Sequence, residues 1–488
     1  MSAPRLPTGL AGAPGAATTH AAATRDLASI VARLDAAGIE RHDDAATLDD
    51  HARDWWPVSI GWAARGELFA RPGIVAMPST TAEVSEVVAA CGDARVPFTV
   101  QGGRSGVCGG AVPEPGAVAL DLTRLAGVLD FDEVSLRVRV NAGTFGPELE
   151  AWLRERGCTI GHFPQSMDLA TVGGWVACRG AGQYSTRYGK IEDLVRGLTV
   201  VLPDATVVTT GSRGPRQAAG PDLTQLFVGA EGTLGVVTEV ELVVHRVPGA
   251  EARRAWSFTS FADGLEACRA ILQLGATPAV LRLYDPAEST RQFGVDRAVL
   301  IVLDEADKRL LDATISIVED ACRDARTEDV ELVARWLEHR NDVSALGALW
   351  ERGVVVDTIE TAATWGALPR VHADVIDAIL AVPGTSVATC HQSHAYLDGA
   401  CLYFTFAGRP GDADAYYREV WDTATAAALN AGASLSHHHG VGRNRSGYLR
   451  DALGHGMDVL SAIKGVLDPR WLANPSVLGL DPPTGERR

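Results

Sequence analysis

QGGRSGVCGG, residues 101–110, places five glycines in ten positions directly after the apolar run PFTV. A strand running into such a loop exposes successive backbone N–H groups, and glycine has no Cβ to block an approaching anion. Just upstream, GIVAMPST (73–80) reads as a strand, and TAEVSEVVAACGDARV (81–96) as a helix with apolar residues at helical spacing. Together they predict a β-α-β unit whose second strand ends in a glycine-rich loop. The loop is not a dinucleotide fingerprint, because Gly102, Gly103 and Gly106 miss that spacing and no clear helix begins there. Alone, it reads equally well as a glycine-rich turn.

Two further segments of the same character follow. PQSMDLATVGGWVACRGAG (164–182) sets Gly173 and Gly174 between apolar neighbours. GPDLTQLFVGAEGTLGVVTEVEL (220–242) carries Gly229, Gly232 and Gly235, with Glu231 and Thr233 between them, ahead of another strand. VALDLT, LRVRVNAG, LTVVLPDATVVTT and LGVVTEVELVV are β-branched and alternating, and a helix over 145–156 separates some of them. Residues 1–25 read as a flexible tail, and 26–34 as an amphipathic helix. From 251 to about 432 long helices join strands such as AVLRLYD, AVLIVLD and CLYFTFAG, and one helix is expected over about 447–466 before the coil LDPRWLANP. The expected layout is a tail and helical segment (1–70), a glycine-loop domain (71–248), an α+β cap (249–432) and a C-terminal segment (433–488). The fold class is α+β.

At 488 residues the chain is too long for one ordinary core. Its formal charge of −17 argues against a nucleic-acid partner, which would need a basic face. Lys190, Lys308 and Lys464 are the only lysines, so nearly all the positive charge is arginine. The eight cysteines show no CxxC pair or zinc spacing, as expected of thiols in a reducing compartment. No segment is apolar enough for long enough to span a membrane, and the first 25 residues lack the apolar core of a signal peptide. A cytoplasmic enzyme acting on a small molecule is expected, with a homodimer allowed.

SLSHHHGVG, residues 434–442, is the second decisive stretch. Three consecutive histidines cannot all serve packing, since their ring nitrogens need partners and adjacent side chains diverge. Histidine changes charge near neutral pH, which suits proton transfer, and Gly440 and Gly442 let the backbone approach a ligand.

The three loops, in this order, resemble the FAD-binding domain of the vanillyl-alcohol oxidase and p-cresol methylhydroxylase type over about residues 71–248. The resemblance implies that Gly102, Gly103, Arg104, Ser105 and Gly106 bind the FAD diphosphate. It places Pro164, Asp168, Thr171, Gly174 and Trp175 along the flavin, with Ser166 near its ring. Glu231, Gly232, Thr233 and Val237 then hold the nucleotide end. Some members attach flavin through a first-loop histidine, where this chain has Arg104, so non-covalent FAD is expected. ACLYFTF (400–406), SLSHHHGVG and VLRLYD are similar to alkyl-dihydroxyacetonephosphate synthase, the flavoenzyme that forms the ether bond of ether lipids. That likeness implies active-site roles for Tyr403, His437, His438 and His439. It leaves Arg282, in VLRLYD, between a core ion pair and a contact organising the flavin.

Two departures bear on the reaction. The synthase pattern has an arginine about fifteen residues before a Glu-Thr pair. Counting back from Glu360–Thr361 gives Leu346, flanked by Arg340 and Arg352. Metal-assisted 2-hydroxy-acid dehydrogenases of related fold use a motif ending in histidine, where HAYLDGACLY (394–403) ends in Tyr403, so no metal is expected. Their single active-site histidine corresponds to His439. The reading that follows is an FAD-dependent oxidoreductase taking a hydride from a hydroxyl-bearing carbon. Its alternative is a synthase-like transferase without net redox change.

Overall fold

The computed structural model describes residues 17–18, 25–211, 214–342 and 345–481. Apart from Ala17, Thr18 and Arg25, the tail expected over 1–25 lies outside the described residues. Ile74–Met77, Thr81–Ala94 and Phe98–Gln101 form the strand, helix and strand read from the sequence. Thr80 starts the helix by accepting the Glu83 N–H on its side chain, and Arg95 ends it in the left-handed region. Val84, Val87, Val88 and Cys91 form its buried stripe. The two strands are not neighbours. Val118–Asp121 lies between them, parallel to both, and Glu40–His42 adds an antiparallel edge.

A second, five-stranded antiparallel sheet runs in the order Val207–Thr209, Val195–Val201, Val236–Val243, Arg137–Asn141, Val128–Asp132. Alternate residues of Val236–Val243 are buried, as the period of two in its sequence requires. The third sheet is antiparallel throughout and has seven strands. Its order is Arg326–Thr327, Ala250–Phe258, Ala298–Ala306, Val280–Tyr284, Thr385–Ala395, Gly399–Gly408, Val355–Thr364. Leu283, Leu300 and Val302 of this sheet meet Ile271, Val371 and Val420 of three helices in the largest core. Each such side chain contributes about 1.5–3 kcal/mol when buried. Trp56, ahead of the helix Pro57–Ala64, joins the same core and donates its indole N–H to Tyr417 at 3.1 Å.

The single helix expected near the C-terminus is broken. Leu449–Leu453 and Gly456–Leu467 are separate helices, because Gly454 takes φ 54 and ψ −127, a conformation that side chains resist. Beyond them the coil returns to the first sheet, where Ala473 bridges Phe98. Lys464, fully buried, fastens this return by donating to the Thr233 and Ala473 carbonyls and to Asp468. All eight cysteines are free thiols, and no helix among the described residues is long and apolar enough to cross a membrane.

Candidate active site

The glycine loops and the seven-stranded sheet together enclose a cavity of about 470 Å³. Gly102, Gly103, Arg104, Ser105 and Gly106 line it, and among the described residues none of their backbone N–H groups has a partner. Gly103 presses on the second loop so closely that a Cβ there would run into the Leu169 carbonyl. Arg104 adopts φ 54, which turns successive N–H groups to one side, while its guanidinium pairs with Asp50 at 2.6 Å. A row of unsatisfied N–H donors in a concave loop fits the diphosphate of FAD.

Pro164, Ser166, Thr171, Gly174 and Trp175 line the same cavity, Thr171 also capping the short helix Val172–Ala177. The indole N–H of Trp175 is buried without a partner. Asp168 does not reach the cavity and is exposed. From the third loop Glu231, Gly232 and Val237 line it. Thr233 does not, because its buried hydroxyl is spent on the Ala230 carbonyl. Glu231 does more than line the wall. Its carboxylate accepts the N–H groups of Val441 (2.6 Å) and Gly442 (2.8 Å), which ties the histidine loop to the glycine-loop domain. Burial pushes this carboxyl up to about 7.

Of the three histidines, His438 and His439 line the cavity and His437 stands behind them. Their backbone is held by Glu360, a fully buried carboxylate accepting the N–H groups of His437 (2.5 Å), His438 (3.4 Å) and His439 (3.0 Å) and the Ser436 hydroxyl (2.8 Å). Arg445, equally buried, donates to it at 2.9 Å. Burial alone would raise this acid, but Arg445 and the histidines hold it down at about 2. Glu360, Cys401, His437 and His438 bring ligand-type atoms within 4.8 Å of one another. The carboxylate's lone pairs are already taken, so it anchors the loop rather than offering a seat to a cation.

Sheet register supplies the rest. Tyr403 lies opposite Glu360 on one side and His391 on the other, and His391 lies opposite Tyr284. The rings of His391 and Tyr403 stack at 4.8 Å. Arg282, two residues before Tyr284, donates to His391 Nε2 at 2.6 Å and lines the cavity, with its Nε buried and unpartnered. Leu346 also lines the cavity, so the position counted from the synthase pattern faces the site as an apolar wall. Arg340 stacks near Tyr184 and Trp336, 5.2 and 5.5 Å from their ring centroids. Burial depresses His439 to about 4 and raises Tyr403. At neutral pH the cavity therefore presents a neutral imidazole, an intact phenol and a guanidinium. The His439 Nδ1 is buried without a hydrogen bond.

Arg445, and Glu360 as an anchor, were not among the expected site residues. Arg445 follows the histidine run within GRNRS, and nothing in that spacing marks it as the partner of an acid 85 residues upstream.

The chain matches the FAD binding domain over residues 72–211 and the C-terminal domain of FAD linked oxidases over residues 247–478. It is 28% identical over 475 residues to alkyldihydroxyacetonephosphate synthase of Dictyostelium discoideum, spanning 88% of this chain and 76% of that protein. An uncharacterized FAD-linked oxidoreductase of Escherichia coli K12, YgcU, is 30% identical over 431 residues, 83% of this chain and 89% of its own. A solved alkyldihydroxyacetonephosphate synthase superposes with a TM-score of 0.77 at 25% identity, covering 93% of this chain and 86% of the other. Substrate-bound p-cresol methylhydroxylase shares the fold, with a TM-score of 0.72 at 16% identity over 90% and 94% of the two chains. The chain belongs to the FAD-linked oxidase family, as an FAD enzyme whose homologues include the alkyldihydroxyacetonephosphate synthases.

Proposed function

We propose that this enzyme withdraws a hydride from a hydroxyl-bearing carbon of a small substrate, with His439 as the base and FAD held non-covalently. The observation that carries the reading is the convergence of the three glycine loops with His439, Tyr403 and Arg282 on one cavity. Bound FAD supplies the electron-accepting ring. The protein supplies the rest. His439, neutral and lining the cavity, takes the hydroxyl proton. Tyr403 stays protonated and donates to the substrate oxygen. Arg282 balances negative charge on the substrate, and Leu346, Leu349 and Val356 form an apolar wall that excludes water.

Arg282 also favours a second reading. It places a cation in the cavity although position 346 is leucine, and a synthase-like transfer on an anionic ketone would need that cation. Anaerobic mixing with candidate hydroxy substrates separates the two. Bleaching of the flavin band with a carbonyl product is the expected result. Ether product from acyl-dihydroxyacetone phosphate and a long-chain alcohol, without bleaching, would replace oxidation by transfer.

A further inference from the structure

Behind the cavity wall the histidines continue into a hydrogen-bonded chain. His438 lines the cavity, and its Nδ1 lies 2.9 Å from Nδ1 of His437. His437 Nε2 is 2.9 Å from the hydroxyl of Tyr396, a partly exposed residue beside the exposed pair Leu397 and Asp398. A second branch starts at His394, which also lines the cavity. Its Nδ1 is 2.8 Å from the Ser185 hydroxyl, which in turn reaches Tyr396. We infer that His438, His437 and Tyr396 form a proton relay between the cavity and solvent, joined at Tyr396 by His394 and Ser185.

The bond between the two Nδ1 atoms requires one ring to carry its proton there and the other its lone pair, so the rings hold opposite Nδ1 states. A proton arriving at His438 Nε2 releases the Nδ1 proton to His437. His437 passes its Nε2 proton to the Tyr396 oxygen, and the phenolic proton leaves to water. Each carrier ends neutral, and reversal of the tautomers resets the chain. Burial keeps His437 at about 3 and His438 and His394 well below their ordinary value, so they pass a proton without storing it. Lys190 donates to the His437 carbonyl at 2.6 Å and sits 3.6 Å from Glu192. Glu192 and Asp193 face Tyr396 at the outer end, Lys190 faces His437, His438 and His394, and Glu360 holds the inner backbone.

The inference rests on the proposed reading only in its need for a proton path. Hydride withdrawal from a C–H/O–H pair would carry two electrons and one proton to bound FAD and would leave the hydroxyl proton to be exported. Reduction without substrate runs the same path inward, since FAD plus two electrons takes up one proton. The experiment uses that case. The holoenzyme is reduced by a light flash with a sacrificial donor while an indicator dye follows proton uptake. Tyr396→Phe should retain its flavin yet slow uptake at least about tenfold, with imidazole buffer restoring it. Ser185→Ala alone should slow it less. Uptake at the wild-type rate in Tyr396→Phe overturns the relay, whether or not the enzyme oxidises alcohols. On the unmodified protein, histidine ¹⁵N NMR at pH 7 should show both rings neutral with Nδ1 protonated in one and bare in the other. A cationic ring, or matching Nδ1 states, overturns it independently of any variant.

Discussion

Glu360 shows how one side chain sets the geometry of several others. It accepts three consecutive backbone N–H groups from the histidine loop and a guanidinium N–H from Arg445, with both charges out of water. Glu360→Ala leaves Arg445 buried and unpaired, which costs about 3–5 kcal/mol. The denaturant midpoint should fall accordingly. In the proposed reaction His439, which lines the cavity, acts on the substrate. His439→Ala should lower turnover by about 10²–10⁴-fold while the flavin content stays at wild type. A variant with normal turnover refutes the role, and one without flavin shows a structural one. Because burial holds this imidazole at about 4, it is already neutral well below the 6.5 of a free histidine. The acid limb of kcat/KM should therefore lie near 4, with activity lost as pH falls through that value. A limb near 6.5 would mean that another group is the base.

At the scale of elements, the first two loops work as a pair pressed backbone to backbone. Gly103→Ala must push the first loop away from the Leu169 carbonyl, which removes the concave row of N–H groups. The purified variant should be colourless and fail to take up added FAD, with its cap-domain core intact by circular dichroism. The strands and helices of residues 73–101 were legible because alternation and helical spacing are local properties of the chain. Two features were not. Val118–Asp121 inserts between strands that follow each other in sequence, a choice made by pairing rather than by pattern. The C-terminal helix breaks at Gly454, where apolar periodicity on both sides hides a single glycine's backbone angles.

At the scale of the whole molecule, the cavity belongs to neither half of the chain alone. Arg104, at the place of a covalent histidine in related flavoenzymes, pairs with Asp50, so the flavin should come away on acid precipitation and appear in the supernatant. Flavin retained in the pellet would show a covalent bond elsewhere. FAD binding was legible through the family resemblance that the three glycine loops carry together, because each is a contiguous motif, although the first loop alone reads equally well as a turn. Tyr403 entered only through the likeness to the synthase. Asp168 and Thr233 fall outside the cavity because a neighbour in sequence need not point the same way in space. Folding alone brings Arg282, His391, Tyr403 and Glu360 into a row across four strands and sets Arg445 against Glu360. Such contacts join residues 12 to 109 positions apart, at distances fixed by sheet register and by the need of buried charge for a partner. Neither constraint leaves a mark in a local window of sequence.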